Sequence, residues 1–365
     1  MNPFDDRIRI VVAGAGVIGQ AHLRVIDDAP DCRLAAIGDP SPAARVLAER
    51  HGVSLYASLD DLPRDGPQRP DGVILATPNA LHVEQALWCV AAGLPTLLEK
   101  PIAPTVAEAE RLVEAVEACG ARLLVGHHRA HSPLMARARQ LIDQGRLGRL
   151  VAVMGSAVFH KPDAYFDDAP WRRQAGGGPV LINMIHEVHN LRMLCGEIVA
   201  VQAIASNAVR GFPVEDTVAI ALRFASGALG TFMLSDTAAC ARSWEQTSRE
   251  NAAYATYPDE DCYVIAGTAG SLSIPTMRLR THARAEDRSW WTPLDTEVVE
   301  AERADPLVRQ LAHFRAVARG ETTPLVSARD ALENLRITEA IGEAARSGRV
   351  VDTTPSGRAP TSRMD

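Results

Sequence analysis

The sequence predicts an α/β protein with two domains. The N-terminal domain is expected to have a doubly wound parallel sheet, and the C-terminal domain is expected to be α+β with an open, largely antiparallel sheet. Strand-like and helix-like segments alternate through the first 126 residues, whereas strand-like segments follow one another with few helices beyond about residue 145. Alternating apolar strands and amphipathic helices are typical of parallel sheets, and successive strands indicate antiparallel pairing.

The first domain, predicted to span residues 1–126, begins with a β-branched apolar strand at Ile8–Ala13, a glycine-rich turn and a helix at Val17–Asp28. The further predicted strands are Arg33–Gly38, Gly72–Ala76, Pro95–Leu98 and Leu123–Val125, and the further predicted helices are Ser41–His51, Ala80–Ala92 and Val106–Cys119. Right-handed crossovers join repeated βα units, so these strands are expected to form one parallel sheet.

The second domain is predicted to span residues 127–352. Its predicted strands are Leu150–His160, Ile198–Ser206, Thr217–Phe224, Leu229–Ser235, Cys262–Ala266 and Ser271–Ile274, and its predicted helices are Pro179–Leu194, Pro306–Arg319 and Ser327–Arg346. The stretch Ala238–Asp261 is polar and lacks periodicity, so it is predicted to be a long loop near the site or an interface. Residues 353–365 are mostly polar, with no apolar run that could dock, and are expected to form a flexible tail.

The composition predicts a globular protein and excludes several classes. The 365 residues carry 38 Lys and Arg against 45 Asp and Glu, a net charge of −7, and 47% are hydrophobic. An acidic chain without a basic run is a poor partner for nucleic acid or anionic membranes. No apolar run reaches the roughly 18 residues of a membrane helix, and the N-terminus does not resemble a signal peptide. The six cysteines form no C-x-x-C pair, so we expect a reduced, cytoplasmic protein.

The turn after the first strand contains the motif Gly14-Ala-Gly16-Val-Ile-Gly19. A strand precedes it, a helix follows it, and Asp39 closes the second strand 20 residues beyond the last glycine. This context predicts the dinucleotide-binding fingerprint of a Rossmann domain. The three glycines would allow, in order, the tight turn, the approach of the pyrophosphate and close packing of helix on strand. The helix start at Val17 and Ile18 is expected to hold the pyrophosphate.

Asp39 favours NAD over NADP as the cofactor. Its carboxylate would accept hydrogen bonds from the adenosine ribose hydroxyls, whereas a 2′-phosphate would meet like-charge repulsion. Arg45 lies within a turn and a half and could weaken that preference, although it could equally be a solvated surface arginine.

Four further segments give the chain a specific family resemblance. They are Ala76-Thr-Pro-Asn79 with His82, Glu99-Lys100-Pro101, Gly126-His-His-Arg129, and Gly176-Gly-Gly-Pro179 followed by His186. In this order and spacing the chain resembles the glucose-fructose oxidoreductase / inositol dehydrogenase family, often called Gfo/Idh/MocA, over roughly residues 7–347. The resemblance implies NAD(P) binding in the first domain and oxidation or reduction of a carbinol, typically of a sugar, polyol or dihydrodiol, in the second. It also implies a homodimer or homotetramer, because the open sheet commonly packs against a partner subunit.

Lys100 is the principal catalytic candidate. It follows the strand that ends at the carboxyl edge of the parallel sheet, where ligands of open α/β sheets bind. There it could take the alcohol proton as hydride leaves, or donate one during reduction. Glu99 could orient Lys100 or, equally, cap a helix. Thr77, Pro78 and Asn79 resemble the family segment that lines the cofactor, and His82 could do the same or lie on a helix surface.

His186 is the second catalytic candidate, and here the chain departs from the family pattern. The family pairs a histidine on this helix with an aspartate four residues earlier, but this chain has Ile182 at that position. On an α-helix Asn183 and His189 would share a face with His186. We therefore expect Lys100 to transfer the proton, His186 to assist and Asn183 to orient the substrate.

The remaining candidates are predicted to bind substrate. Arg129, next to His128, could bind a substrate hydroxyl or carboxylate or the nicotinamide amide. A polar and aromatic stretch before the three glycines is a candidate lid, and it contains His160, Tyr165, Trp171 and Arg172. No metal is expected, because His186 and His189 are three residues apart rather than four and no cysteine lies near them.

Three functions fit the sequence. The first is an NAD-dependent dehydrogenase of a sugar, polyol or related cyclic alcohol. The second is a dehydrogenase of a dihydrodiol or cyclic hemiacetal, which the missing aspartate and the aromatic stretch favour weakly. The third is a non-catalytic dinucleotide-sensing regulatory protein. The intact Glu99-Lys100-Pro101 segment favours an enzyme, whereas Ile182 keeps the third hypothesis open.

Overall fold

The structure is a computed structural model that describes residues 6–354. Its strands are β1 (Ile8–Ala13), β2 (Cys32–Gly38), β3 (Ser54–Tyr56), β4 (Gly72–Leu75), β5 (Thr96–Glu99), β6 (Leu123–Gly126), β7 (Leu150–His160), β8 (Ile198–Ser206), β9 (Thr217–Phe224), β10 (Leu229–Ser235), β11 (Thr237–Arg242), β12 (Tyr263–Gly267), β13 (Gly270–Ile274), β14 (Arg278–Thr281), β15 (Asp295–Val298) and β16 (Val351–Asp352). Its α-helices are α1 (Val17–Asp28), α2 (Pro42–His51), α3 (His82–Ala91), α4 (Val106–Cys119), α5 (Pro133–Asp143), α6 (Asp163–Asp167), α7 (Ile185–Cys195), α8 (Trp244–Ser248), α9 (Pro306–Arg319) and α10 (Ala328–Ser347). Within the described range, no helix combines the length and the apolar character needed to cross a membrane.

The chain divides into two compact units. The first comprises the described residues up to His131 together with Pro306–Leu335, and the second comprises Ser132–Asp305 together with the described residues from Arg336 onward.

Six parallel strands form the sheet of the first unit, in the order β3-β2-β1-β4-β5-β6. The side chains of Ile10, Ile74 and Leu97 are fully buried, as expected of strands that are covered on both faces. The predicted parallel sheet is therefore confirmed. Because all strands point the same way, their carboxyl ends bring the glycine-rich turn and Lys100 to the same edge of the sheet.

The segment Pro306–Leu335 belongs to the first unit, whereas the sequence placed it in a second domain beginning at residue 127. Helix α9 packs against α1, β5 and β6, and Phe314 is fully buried. Val125 donates its backbone N–H to the carbonyl of Val326 at 3.0 Å. The apolar face of α9 thus completes the core of the dinucleotide fold, a long-range contact that no local pattern predicts.

The second unit contains a ten-stranded sheet. Its order is β15-β14-β13-β12-β7-β10-β9-β8-β16, with β11 paired to β7. The strands are antiparallel to their neighbours except for the parallel pair β7 and β10. The predicted largely antiparallel sheet is confirmed.

One face of this sheet is buried and the opposite face of its central strands is exposed. Along β9 and β10 the residues alternate, so that Ile220 and Phe232 enter the core while Met233 is 45% exposed. The core also includes Leu134 of α5 and Leu191 of α7. A two-residue period of this kind is the signature of a sheet covered on one side only.

The helix predicted at Pro179–Leu194 is not continuous. Residues Val180–Met184 form a π-helical turn, and the α-helix runs from Ile185 to Cys195. The wider π turn changes the spacing of the side chains between Val180 and Met184 relative to an α-helix.

The stretch predicted as a long loop at Ala238–Asp261 contains most of β11 and the helix α8. Trp244 is buried there. Its indole N–H donates to Glu250 at 3.2 Å, and its ring centre lies 5.9 Å from that of Tyr263. At the other end of the chain Thr353, predicted to begin the flexible tail, donates its N–H to Val199 at 3.0 Å. Residues 355–365 of that predicted tail lie outside the described residues.

Candidate active site

The glycine-rich turn has the geometry of a dinucleotide cradle. Gly14 has a φ of +92°, and a Cβ atom on Gly19 would lie 1.9 Å from the carbonyl oxygen of Gly14. These two glycines are therefore required by the fold. Gly16 is different, because its φ is −72° and a Cβ atom there would meet no atom within 4 Å. This open space at the start of α1, beside Val17 and Ile18, fits a pyrophosphate bound to helix N–H groups.

Asp39 fixes the turn and remains able to bind a ribose. Its carboxylate accepts the N–H of Ala15 at 2.8 Å and the N–H of Ser41 at 2.7 Å. Burial raises the pKa of Asp39, but hydrogen bonds from Ser41 and Ala15 outweigh burial and lower the pKa overall. The group is therefore an anion at neutral pH with lone pairs left to accept ribose hydroxyls.

Glu99 pairs with a histidine that the sequence analysis missed. Its Oε1 lies 2.8 Å from Nε2 of His22, and both side chains are buried. Burial raises the pKa of Glu99, but the His22 hydrogen bond and nearby positive charges lower it overall. The other carboxylate oxygen accepts the backbone N–H of Lys100 at 3.3 Å. Glu99 therefore anchors the main chain of Lys100 to α1 rather than capping a helix.

His82 anchors the other side of Lys100. One ring nitrogen lies 2.7 Å from the carbonyl of Pro101 and the other 2.9 Å from the carbonyl of Thr77. Burial lowers the pKa of His82, and the two carbonyl contacts only partly offset that effect. His82 is thus buried rather than on a helix surface, and it joins the Thr77-Pro-Asn79 segment to the Lys100-Pro101 segment. Lys100 itself is half-buried.

The segment after β6 is also buried. Arg129 is 3% exposed and lies in a short 3-10 turn, His128–His131. Preceding it, His127 has its Nε2 3.3 Å from the amide nitrogen of Asn334. Arg129 therefore belongs to the first unit, at the same sheet edge as Lys100.

In the second unit, Asn183 is held by a lysine. Its amide oxygen accepts a hydrogen bond from Nζ of Lys161 at 2.7 Å. His186 follows on the first turn of α7 and is 6% exposed. Asn183 is therefore oriented by the cation that immediately follows β7.

Lys161 belongs to a buried charge network. Its Nζ lies 3.5 Å from Asp236, whose carboxylate also pairs with Arg210 at 3.1 Å. The side chains of Lys161, Asp236 and Arg210 are 10%, 3% and 6% exposed. Buried charges are tolerated only when they are paired and hydrogen-bonded. The network therefore fixes Lys161 in place.

Tyr165 lies between two cations. Lys161 is 4.7 Å and Arg172 is 3.8 Å from the centre of its ring. Arg172 also donates to the carbonyl of Tyr165 at 2.5 Å. Trp171 is 51% exposed and lies 5.8 Å from the Arg172 guanidinium. The structure thus brings Tyr165 and Arg172 to the Lys161 network, whereas His160 is exposed and bonded to Thr237.

Lysine usage is the signal that could have found Lys161. Of the 38 basic residues only two are lysines, Lys100 and Lys161, so 38 − 2 = 36 are arginines. Arginine cannot lose its proton and presents a wide fork, whereas an ammonium is compact and titratable. In a chain that otherwise uses arginine, the two lysines are therefore candidates for a specific role.

In residues 6–354 no group of three His, Cys, Asp or Glu side chains is placed to hold a metal ion. His131 faces His313, with ring centres 5.2 Å apart.

Two family models match the chain. An oxidoreductase family with an NAD-binding Rossmann fold matches residues 8–127, and the GFO/IDH/MocA C-terminal domain matches residues 135–273. The chain belongs to the GFO/IDH/MocA oxidoreductase family. It is therefore an oxidoreductase with NAD as its cofactor, and the glycine cradle and Asp39 fit that cofactor.

Known relatives match between 77% and 95% of the chain. The rhizopine catabolism protein MocA of Rhizobium meliloti is 29% identical over 347 residues, which is 92% of this chain and 95% of MocA. The 1,5-anhydro-D-fructose reductase of Ensifer adhaerens is 29% identical over 77% of this chain and 79% of its own length. Among solved structures, the WlbA dehydrogenase of Bordetella pertussis, in complex with NADH and UDP-GlcNAcA, is 26% identical with a TM-score of 0.74 over 95% of this chain and 98% of WlbA.

Proposed function

We propose that this GFO/IDH/MocA protein transfers a hydride between NAD and the carbinol carbon of a sugar, polyol or related cyclic alcohol. One observation carries the proposal: Lys100 is anchored by Glu99 and His82 at the sheet edge that also carries the dinucleotide cradle. The reductase and the WlbA dehydrogenase named above act on or bind sugar-type compounds by their names, which supports this substrate class.

Lys100 is proposed to move the proton of the reacting hydroxyl. NAD, when bound, supplies the hydride acceptor, and the alcohol oxygen must lose its proton as the carbon is oxidised. A lysine can exchange that proton, whereas an arginine cannot. In the reverse direction the protonated lysine would return the proton to the carbonyl oxygen.

The second unit is proposed to orient the substrate. His186 assists with the reacting hydroxyl. Asn183 binds substrate through its amide NH₂ group, because its amide oxygen already accepts the hydrogen bond from Lys161. Because that bond fixes which end of the amide is the donor, Asn183 presents hydrogens and not lone pairs to a ligand. Tyr165, Trp171, Arg172 and Arg129 are proposed to contact the rest of the substrate.

A panel assay tests the proposal. Purified protein is incubated with NAD⁺ or NADP⁺ and a panel of polyols, aldoses, anhydro sugars and dihydrodiols, and NADH fluorescence is followed. We expect turnover of at least one sugar or polyol and a higher kcat/KM with NAD⁺. Turnover of dihydrodiols alone would contradict a sugar or polyol substrate and indicate a dihydrodiol dehydrogenase. NADH binding without turnover of any alcohol would instead favour a dinucleotide sensor, which the isoleucine at position 182 permits.

We also propose a homodimer formed through the exposed face of the ten-stranded sheet. Ile204, Met154 and Met233 are 76%, 53% and 45% exposed there. Strand register places Ile204 opposite Ala219, and Ala219 opposite Met233. This continuous apolar surface would be buried by a second copy of the chain.

A cytoplasmic location is proposed from the six cysteines, all of which are free.

A further inference from the structure

A large basic cavity lies at the amino ends of the strands of the first unit, at the sheet edge opposite the glycine-rich turn. Its volume is about 1070 Å³, which is at the upper end for small-molecule sites. Of its 17 lining residues six are arginines and two are aspartates. They are Arg7, Arg9, Arg33, Arg69, Arg122, Arg319, Asp6 and Asp71.

The arginines are concentrated beyond what the composition explains. Arginine makes up 36 of 365 residues, about one in ten, but six of the 17 residues around the cavity. The lining therefore carries a formal charge of 6 − 2 = +4. Helices α3, α4 and α9 end at this cavity, and each carboxyl end contributes about half a negative charge. Their sum of roughly −1.5 leaves the cavity clearly positive.

Two arginines retain donors for a ligand. Arg69 uses Nη2 on the carbonyls of Ala92 and Gly93, at 3.1 and 3.0 Å, and Arg122 uses Nη1 on the carbonyl of Ala318 at 2.9 Å. Among the residues that the structure describes, Nε and Nη1 of Arg69 and Nε and Nη2 of Arg122 have no hydrogen-bond partner. Arg9, by contrast, donates from Nε and Nη2 to Asp71 at 2.9 and 2.8 Å, and from Nη1 to the carbonyl of Pro67.

The spread of these cations indicates the kind of ligand. Arg69 lies just before β4 and Arg122 immediately before β6, two strand spacings away in the sheet order, or about 10 Å. One small anion cannot reach across that distance, whereas a ligand with several anionic groups can. Guanidinium forks match phosphate oxygens two at a time. We propose that this cavity binds a small polyphosphate-bearing molecule, separately from NAD and independently of the proposed reaction.

Binding of inorganic triphosphate tests this proposal. Calorimetry is carried out at constant ionic strength with NAD⁺ at saturation, so that the glycine-rich turn is already occupied. We expect one triphosphate per chain, with at least tenfold weaker binding in Arg69→Gln/Arg122→Gln. Arg111→Gln is the matched control, because Arg111 is exposed on α4 but does not line the cavity. It should bind triphosphate like the wild type.

A cysteine at the cavity reports the location directly. Cys119 lines the cavity and is exposed, whereas Cys240 is half-buried in the second unit. We expect triphosphate to slow alkylation of Cys119 by iodoacetamide several-fold and to leave Cys240 unchanged. An unchanged NAD⁺ affinity shows that the double variant is folded. Failure of triphosphate to bind, unaltered binding by the double variant, or no protection of Cys119 would each overturn the proposal, whatever the outcome of the activity panel.

Discussion

At the scale of single residues, Lys161 contacts two side chains that lie far from it in the sequence. It contacts Asn183 at 2.7 Å, although 22 residues separate them. Asp236, which balances its charge, is 75 residues further along the chain. Tyr165 and Arg172 became candidates because they stand in a short polar and aromatic stretch, and Asn183 because it is a polar residue close to His186 in the sequence. Their common partner was not predicted, because the contact depends on the tertiary fold.

Lys161→Met is expected to raise the substrate KM at least tenfold. Without the ammonium, the Asn183 amide can rotate and present the wrong atoms to the substrate. The NADH affinity should stay unchanged, because the cradle lies in the other unit of the fold. Steady-state kinetics and NADH titration measure both quantities. Lys161→Arg keeps the charge and should restore part of the loss; an unchanged KM in Lys161→Met would contradict this role.

The buried Glu99–His22 pair should contribute strongly to stability. Glu99→Ala leaves a buried histidine and the Lys100 N–H without their acceptor, and losing a hydrogen bond to a charged group costs about 1.5–3 kcal/mol. Glu117→Ala is the matched control, because its pair with Arg329 is half exposed on both sides and is worth at most about 1 kcal/mol. Urea denaturation monitored by circular dichroism checks the difference. Equal losses in the two variants would contradict this interpretation.

The same pair predicts a pH dependence. The pKa of Glu99 is lowered on folding from its ordinary value of 4.5. Its stabilisation is therefore fully present above about pH 4.5 and is lost as the pH falls through the folded-state pKa. Thermal melts of Glu99→Gln should approach those of the wild type at the acid end, whereas a constant gap between pH 7 and acid would be inconsistent with this linkage.

At the scale of elements, the glycine-rich turn contains one glycine that the fold requires, Gly19, and one that is expected to serve cofactor binding, Gly16. Gly16→Ala introduces no clash and keeps an ordinary φ, so its melting temperature should match the wild type while NADH binds at least tenfold more weakly. Gly19→Ala places a Cβ atom against the Gly14 carbonyl and should lose about 2 kcal/mol or more of stability. Calorimetry and NADH titration check both. Normal NADH binding by a folded Gly16→Ala protein would contradict the cradle.

Regular elements were predictable and irregular ones were not. Strands such as β1 and β9 follow from apolar runs or two-residue alternation, and helices such as α4 from an amphipathic period. The π-helical turn at Val180–Met184 leaves no such periodic signal, and neither does the buried stretch around Trp244. Those segments are fixed by contacts that are distant in sequence, so local pattern could not reveal them.

At the scale of the whole molecule, the exposed sheet face predicts self-association. Ile204→Lys/Met233→Lys places two charges on that face and should convert a dimer into a monomer at micromolar concentration. Val46→Lys, at an exposed position on α2, is the control and should leave the dimer intact. Analytical ultracentrifugation distinguishes the species. A wild-type protein that is monomeric at this concentration would contradict the proposed dimer.

The most direct test of the account is single-turnover hydride transfer by Lys100→Ala. The variant is mixed with NAD⁺ and the best alcohol from the panel, and NADH formation is followed by fluorescence, with NADH affinity measured in parallel. We expect the rate to fall more than tenfold while NADH still binds, because proton removal is lost and the cradle is intact. A variant that keeps more than about a tenth of the wild-type rate would contradict the assignment of Lys100 as the acid and base.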